Sequence, residues 1–303
     1  MSATSGVAST RAPLSLGERA GAALQAVRPR QWTKNALLLA GLVFAGKIGS
    51  GRAWVEAATA VVAYCSISSA AYLVNDVRDR AADRLHPVKR HRPIASGMLP
   101  VRAAVVLAGG LALLGIALGA ALGPASLLLV LGFLGLQCAY TLVLKRVPLL
   151  DVLTIAGLFA LRAAAGAVAI HVTVSSWLLI CTAVLALFLG FAKRRGELVL
   201  VESGRAPGRD ALRGYSLRLV ETLVRATAAL AVLAYVGYAA TARTSPEMLL
   251  TVPFVVFGVL RYLHLVRVRG VGEEPENVLL RDAPILCAVV LWAATAAVLL
   301  ATS

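Results

Sequence analysis

The chain is poor in the residues that most enzyme signatures need. Its four cysteines, Cys65, Cys138, Cys181 and Cys287, lie singly in apolar segments, and no pair has metal or disulfide spacing. They read as small core residues. None of the four histidines has a partner at a nearby spacing, so no histidine is expected to serve as ligand or base. No Gly-x-x-x-x-Gly-Lys-Ser/Thr loop is present, which excludes a P-loop nucleotide site, and no Gly-x-Ser-x-Gly elbow, which excludes that class of serine hydrolase. No long polar stretch separates off a soluble domain, and no internal repeat marks two halves of a transporter. Acids are scarce as well, with 15 Asp and Glu against 30 Lys and Arg. Any chemistry must come from a few carboxylates, the cations near them and a metal they attract.

What is abundant is apolar length. Of the 303 residues 59% are hydrophobic, and the mean hydropathy is +0.81. Nine apolar runs approach the length of a bilayer crossing: 33–48, 54–75, 102–122, 125–144, 148–170, 176–193, 219–241, 248–266 and 283–301. The expected fold is all-α, a polytopic membrane protein of nine transmembrane helices. Residues 1–27 are expected to be a disordered or surface N-terminal segment, with a short surface helix over 14–27. Residues 28–303 then form a single membrane-embedded catalytic domain. The first apolar run comes late and no small-residue cleavage site follows it, so no cleaved leader is expected.

The net charge of +15 does not point to nucleic acid, because of where it lies. Of the 30 basic residues, 26 fall in or beside the N-terminus and the loops after the second, fourth, sixth and eighth runs. The other face holds only Lys47, Arg52 and Arg243, and Arg162 lies within a run. This asymmetry places the N-terminus and the basic loops in the cytoplasm, the C-terminus outside, and the chain in the cell membrane against anionic lipid.

The second run ends in Asn75-Asp76-Val77-Arg78-Asp79-Arg80-Ala81-Ala82-Asp83. The acids at i, i+3 and i+7 share one face of an ideal helix. Carboxylates that close repel one another unless a cation lies between them, and oxygen-only ligands select a hard divalent ion such as Mg²⁺. Lys89, Arg90 and Arg92 follow in a loop punctuated by Pro87, Pro93, Gly97 and Pro100, which reads as a cap over the acids. The plain alternative is an exposed helix end with ordinary charge pairs. At the end of a membrane span, acids are expensive enough to favour the functional reading.

Four further places carry polar candidates. In the stretch 28–35, Trp32 and the basic residues fit an interfacial flank, and Lys34 and Asn35 are also site candidates. Tyr140 and Lys145 close the fourth run. Asp151 and Arg162 lie on one face of the fifth, roughly 16 Å apart along a helix, with Arg162 either ion-paired to another span or touching substrate. The sixth run ends in a second acid-base cluster, Lys193, Arg194, Glu197 and Glu202. Lys193 and Glu197 share a face, whereas Glu202 lies about 140° further round, so a helix break is needed to bring both glutamates together.

These motifs resemble the UbiA-type intramembrane prenyltransferases, nine-helix enzymes whose two acidic motifs hold a Mg²⁺-diphosphate in a cavity open to the cytoplasm. Asn75-Asp76-x-x-Asp79-x-x-x-Asp83 is similar to their first motif. Glu197 and Glu202 stand where ordinary members carry a second aspartate pair. With Arg28-Pro29-Arg30-Gln31-Trp32-x-Lys34-Asn35, Lys89-Arg90-x-Arg92-Pro93-Ile94-Ala95, Glu274-Pro275-Glu276 and Leu280-Arg281-Asp282, the chain resembles the branch that moves phosphoribosyl groups onto lipid phosphates. Arg195 departs from that branch, where a tyrosine is expected. The resemblance implies phosphoribosyl diphosphate as donor and decaprenyl or another polyprenyl phosphate as nucleophile. The product would be decaprenylphosphoryl-5-phosphoribose for cell-wall arabinan. It implies Mg²⁺, with Mn²⁺ able to replace it, on Asp76, Asp79 and Asp83, and Glu197 as the fourth catalytic acid. Lys34, Asn35, Asn75, Lys89, Arg90, Arg92, Tyr140, Lys145, Arg162, Lys193, Arg194 and Glu202 are the expected substrate-binding residues. An aromatic-acceptor prenyltransferase of the same fold and a membrane transporter are the alternatives. The oligomeric state stays open.

Overall fold

The computed structural model describes residues 15–204, 210–241, 246–268, 278 and 281–302. Among them the chain is helical, with no strand. The first helix, α1 (Leu16–Ala26), is started by a capping box in which Ser15 accepts from the Glu18 N–H and Glu18 reaches back to the Ser15 N–H. Only Ala22 and Ala26, one turn apart, are buried on it, as expected for a helix lying on a surface. The disorder expected for residues 1–13 lies outside the described residues.

The segment after α1 corrects the expected first span. Instead of a regular α-helix over 33–48, a 3₁₀ helix, Pro29–Leu39, runs into a short α2 (Ala40–Phe44). A 3₁₀ helix rises about 2.0 Å per residue against 1.5 Å, so this segment reaches roughly 30 Å where an α-helix of its length would reach about 24 Å. Its packing is backbone on backbone. A Cβ at Gly166 would overlap the Leu38 carbonyl, so that position needs glycine, and one at Gly41 would lie a tight 3.2 Å from the backbone of Ala167.

The remaining helices are α3 (Gly51–Arg78), α4 (Arg80–Leu85), α5 (Pro93–Ser96), α6 (Val101–Ala121), α7 (Pro124–Leu142), α8 (Leu150–Ala169), α9 (Ser176–Glu202), α10 (Leu217–Thr241), α11 (Val252–Val268) and α12 (Ala283–Thr302). Among the described residues seven helices are long and apolar enough to cross a membrane: α3, α6 to α10, and Glu247–Val268, which contains α11. The apolar part of α12, Ala283–Leu299, is shorter. The protein is a multi-pass helical membrane protein. Two helices form its centre: the apolar windows of α3 and α8 are 61% and 56% buried, whereas those of the other five are 22–33%. Those five turn one side to lipid.

Packing places the polar ends of the central helices. Gly115 lets α6 press onto Ile67 and the Ala63 carbonyl of α3. Tyr64, Ile67, Phe133 and Leu158 join α3, α7 and α8, and Leu38 fills the same cluster. A second cluster of Val152, Phe188, Phe191, Val220 and Tyr262 packs α8 and α9 against α10 and α11. Near the Asp79 end of α3, Ala26, Leu73, Ile94 and Ala104 seal α1 and the 86–97 loop onto α3 and α6.

Candidate active site

The aspartates do not lie on one unbroken helix. Helix α3 ends at Arg78, Asp79 takes φ −86° and ψ 3°, and α4 begins at Arg80. The Asp79 and Asp83 N–H groups still reach the carbonyls four residues back, both at 2.8 Å, so the chain turns without losing those bonds. The turn sends the three acids to different cations. Asp76 accepts from Arg28 at 2.5 Å and from Arg92 at 3.1 Å. Arg92 also donates to Asp83 at 2.7 Å, so one guanidinium bridges two buried carboxylates. Asp79 pairs with Lys145 at 3.2 Å, and Lys145 donates to Asn75 Oδ1 at 2.9 Å. The Asp79 side chain is 34% exposed, against 3% for Asp76 and 6% for Asp83, so it is the acid open to solvent.

The donor set is all oxygen, which is the chemistry a hard divalent ion takes. Among the described residues no three acidic, cysteine or histidine side chains converge on one point. Each aspartate is turned to a cation instead. The fit to Mg²⁺ is therefore one of donor type, and Asp76, Asp79 and Asp83 would exchange Arg28, Arg92 and Lys145 for the metal.

The second cluster is built differently. Arg194, 1% exposed, donates to Glu197 at 2.5 Å and lies 3.4 Å from Asp151 of α8. Asp151 accepts from the Tyr215 hydroxyl at 2.7 Å, and that hydroxyl accepts from the Leu149 N–H at 2.7 Å. Burial, with the Asp151 carboxylate beside it, pushes the Tyr215 phenol well above its ordinary value, so it remains a donor. Arg194 was expected to hold donor phosphates, but its burial commits it to Asp151 and Glu197. Glu202 is corrected as well. Helix α9 runs unbroken through Glu202, which is exposed and cannot turn to the face of Glu197. Lys193 is half-buried on the same turn.

Arg162 is buried at mid-length of α8. It donates to Asn35 Oδ1 at 2.8 Å and to the Leu158 carbonyl at 3.2 Å, and stacks on Phe133 and Phe159 at 4.6 and 5.3 Å. Among the described residues it forms no ion pair, so of the two expectations the ion pair to another span is not met, and an amide and two aromatic faces surround the guanidinium instead. Two tyrosines lie between the clusters. Tyr140 is within electrostatic reach of Arg194, Asp151, Glu197 and Tyr72, and the Tyr72 ring carries the Arg28 guanidinium at 5.0 Å.

The outer candidates separate from this centre. Lys89 and Arg90 are exposed on the 86–97 loop and pair with no acid among the described residues, Arg90 donating to His91. Lys34 is half-buried on the 3₁₀ helix, while Trp32 donates its indole N–H to Ser69 of α3 at 3.0 Å. Asp282 accepts from Arg261 at 2.9 Å, and Glu274 and Glu276 lie outside the described residues. Arg28 and Tyr215 are not among the site residues the sequence points to, and Asp151 appears there only as a polar candidate. For Arg28 a signal existed. A residue before proline is pushed out of the helical region, and Arg28, at φ 55°, leaves the helix and swings its side chain onto α3.

The residues 36–281 match the model of the UbiA prenyltransferase family. The chain belongs to this family. Among curated UbiA relatives, the decaprenyl-phosphate phosphoribosyltransferase of Corynebacterium glutamicum is 37% identical over 280 residues, covering 89% of this chain and 83% of the relative. The Mycobacterium tuberculosis protein of the same name is 36% identical over 283 residues, covering 90% and 92%. A solved UbiA homolog from Archaeoglobus fulgidus bound to GPP and Mg²⁺ is 19% identical, with a TM-score of 0.71 over 92% of this chain and 99% of that one. At that identity the likeness establishes the UbiA fold.

Proposed function

We propose that this UbiA-family protein transfers a 5-phosphoribosyl group from phosphoribosyl diphosphate to decaprenyl phosphate or another polyprenyl phosphate, releasing diphosphate. The observation that carries the reading is the end-to-end similarity, at 34–37% identity, to several proteins named decaprenyl-phosphate phosphoribosyltransferase. The site chemistry supports it. Both substrates are phosphate anions, and four half-buried cations, Arg28, Arg92, Lys145 and Lys193, lie after α1, before α5, after α7 and on α9.

Bond making and breaking occur at the anomeric carbon of the donor. The bond to the diphosphate oxygen breaks, the lipid phosphate oxygen bonds to that carbon, and the electron pair leaves on diphosphate. The nucleophile is already anionic, so no strong general base is required. When bound by Asp76, Asp79 and Asp83, a divalent ion, Mg²⁺ or Mn²⁺, supplies charge neutralisation on the leaving group. Arg28, Arg92 and Lys145, displaced from those carboxylates, are placed to donate to diphosphate oxygens, and Lys193 to the donor 5-phosphate. Glu197 fixes Arg194 beside them. Arg162 and Asn35 form the deep polar end of the site, facing the lipid side. The basic loops lie on the cytoplasmic side of the cell membrane, where a water-soluble donor enters, and the C-terminus lies outside. The product feeds cell-wall arabinan synthesis.

The test is to incubate purified protein in detergent with radiolabelled phosphoribosyl diphosphate, decaprenyl phosphate and Mg²⁺, and to extract the lipid. Label is expected in the lipid phase, lost with chelator and restored by Mg²⁺ or Mn²⁺. Consumption of a prenyl diphosphate with an aromatic acid, without lipid labelling, would establish the aromatic-acceptor reading instead. Uptake of either substrate into vesicles without covalent change would establish a transporter.

A further inference from the structure

We propose that Tyr215 is a positioning residue for Lys145, acting through the turn between α7 and α8; the functional part of this inference rests on the donor-side role given to Lys145 above. Tyr215 stands between the 3₁₀ turn Asp210–Gly214 and α10, with its ring buried. Its hydroxyl makes both bonds a phenol oxygen makes well, donating to Asp151 and accepting from the Leu149 N–H, each at 2.7 Å. Leu149 has φ 67° and ψ −47°, a conformation that a branched side chain holds only where its surroundings impose it. Two contacts impose it here. One is the Tyr215 hydroxyl. The other is Pro148, which lies so close to Gly214 that a Cβ there would overlap the proline ring.

From this fastened point the chain back to Lys145 has little freedom. The Val147 N–H bonds to Leu144 at 3.1 Å, and the Arg146 N–H to Val143 at 3.0 Å, closing the 3₁₀ turn Leu144–Arg146. Lys145 projects from that turn onto Asn75 and Asp79 of α3. A continuous set of contacts therefore runs from Glu197 and Arg194 through Asp151, Tyr215 and Leu149 to Lys145 and the first acidic motif. Tyr215 lies far from α3 in sequence, yet it sets the cation that faces the most exposed aspartate.

Tyr215→Phe keeps the ring and removes the two bonds. Three readouts follow on the full-length protein in detergent: amide exchange of the peptide containing Leu149, the rate at which an amine-reactive reagent labels Lys145, and the Michaelis constant for phosphoribosyl diphosphate. Exchange is expected to quicken about tenfold and Lys145 labelling to rise about threefold or more, as one to two ordinary hydrogen bonds are lost. The donor constant is expected to rise about five- to tenfold with kcat within about twofold. In a Lys145→Met background, Tyr215→Phe should change the donor constant less than about twofold, because the residue it positions is gone. Leu149→Gly loosens the same turn from the other side and should move labelling and the donor constant in the same direction; it decides the matter if Tyr215→Phe does not fold. Unchanged Lys145 labelling, or effects of Tyr215→Phe and Lys145→Met that simply multiply, would overturn the proposal. If wild-type protein transfers no label from phosphoribosyl diphosphate, the functional reading falls, while exchange and labelling still decide the Tyr215–Lys145 link.

Discussion

The two acid-base clusters contain similar residues and are built for opposite purposes. At the end of α3, carboxylates and cations come from five separate segments, and the side chains of Arg28, Arg92 and Lys145 keep 20–27% exposure. At the end of α9, Arg194 and Asp151 are 1% and 0% exposed and face each other from adjacent helices. The pair of Asp79, 34% exposed, with Lys145 is solvent-reachable, and such a pair is worth little and exchanges partners readily. A buried one, once assembled, is costly to leave half-made. Under the proposed function the first cluster would trade its internal cations for metal and phosphate, while the buried pair of the second would hold the backbone on which that exchange happens.

The largest effect should come from breaking the first cluster. Asp79→Asn and Asp83→Asn are each expected to lower label transfer by about a hundredfold or more, since each removes a charged ligand worth about 3 kcal/mol or more. Their thermal midpoints should stay within a few degrees of wild type by differential scanning measurements. Arg194→Met should behave in the opposite way. It leaves Asp151 and Glu197 without their buried cation, and a loss of about 3–5 kcal/mol of stability is expected. Thermal or denaturant unfolding in detergent measures it.

A smaller effect sharpens the comparison within the first cluster. Lys145→Met is expected to raise the Michaelis constant for phosphoribosyl diphosphate by roughly 10- to 150-fold, the range for a lost charge-assisted contact. The constant for lipid phosphate should move much less, which titrations of each substrate with the other saturating will separate. The smallest effect belongs to Glu202. Being exposed at the end of α9, its change to Gln should alter activity and midpoint by less than about twofold and 0.5 kcal/mol.

Most of the architecture was legible because it rests on local quantities. Length and apolarity located the helices that became α3 and α6 to α11, and the spacing of Asp76, Asp79 and Asp83 marked the first cluster. What escaped was set by distant partners. The 3₁₀ form of Pro29–Leu39 comes from backbone packing on Gly166, more than a hundred residues away. The turn at Asp79 serves ion pairs with Arg92 and Lys145, which no helical wheel contains. On the wheel Lys193 and Glu197 share a face, yet Arg194 takes Glu197, because α8 brings Asp151 to that side of α9. The place of Tyr215 is set by Asp151 and Leu149, more than sixty residues earlier, which meet its hydroxyl.

The division between a working and a holding cluster is tested most directly by label transfer from phosphoribosyl diphosphate to lipid, per mole of folded protein, for Asp79→Asn and Arg194→Met side by side. The account predicts that Asp79→Asn stays folded and loses about two orders of magnitude, while the folded fraction of Arg194→Met keeps activity within about tenfold of wild type. Near-normal transfer by Asp79→Asn, with complete loss in folded Arg194→Met, would contradict it.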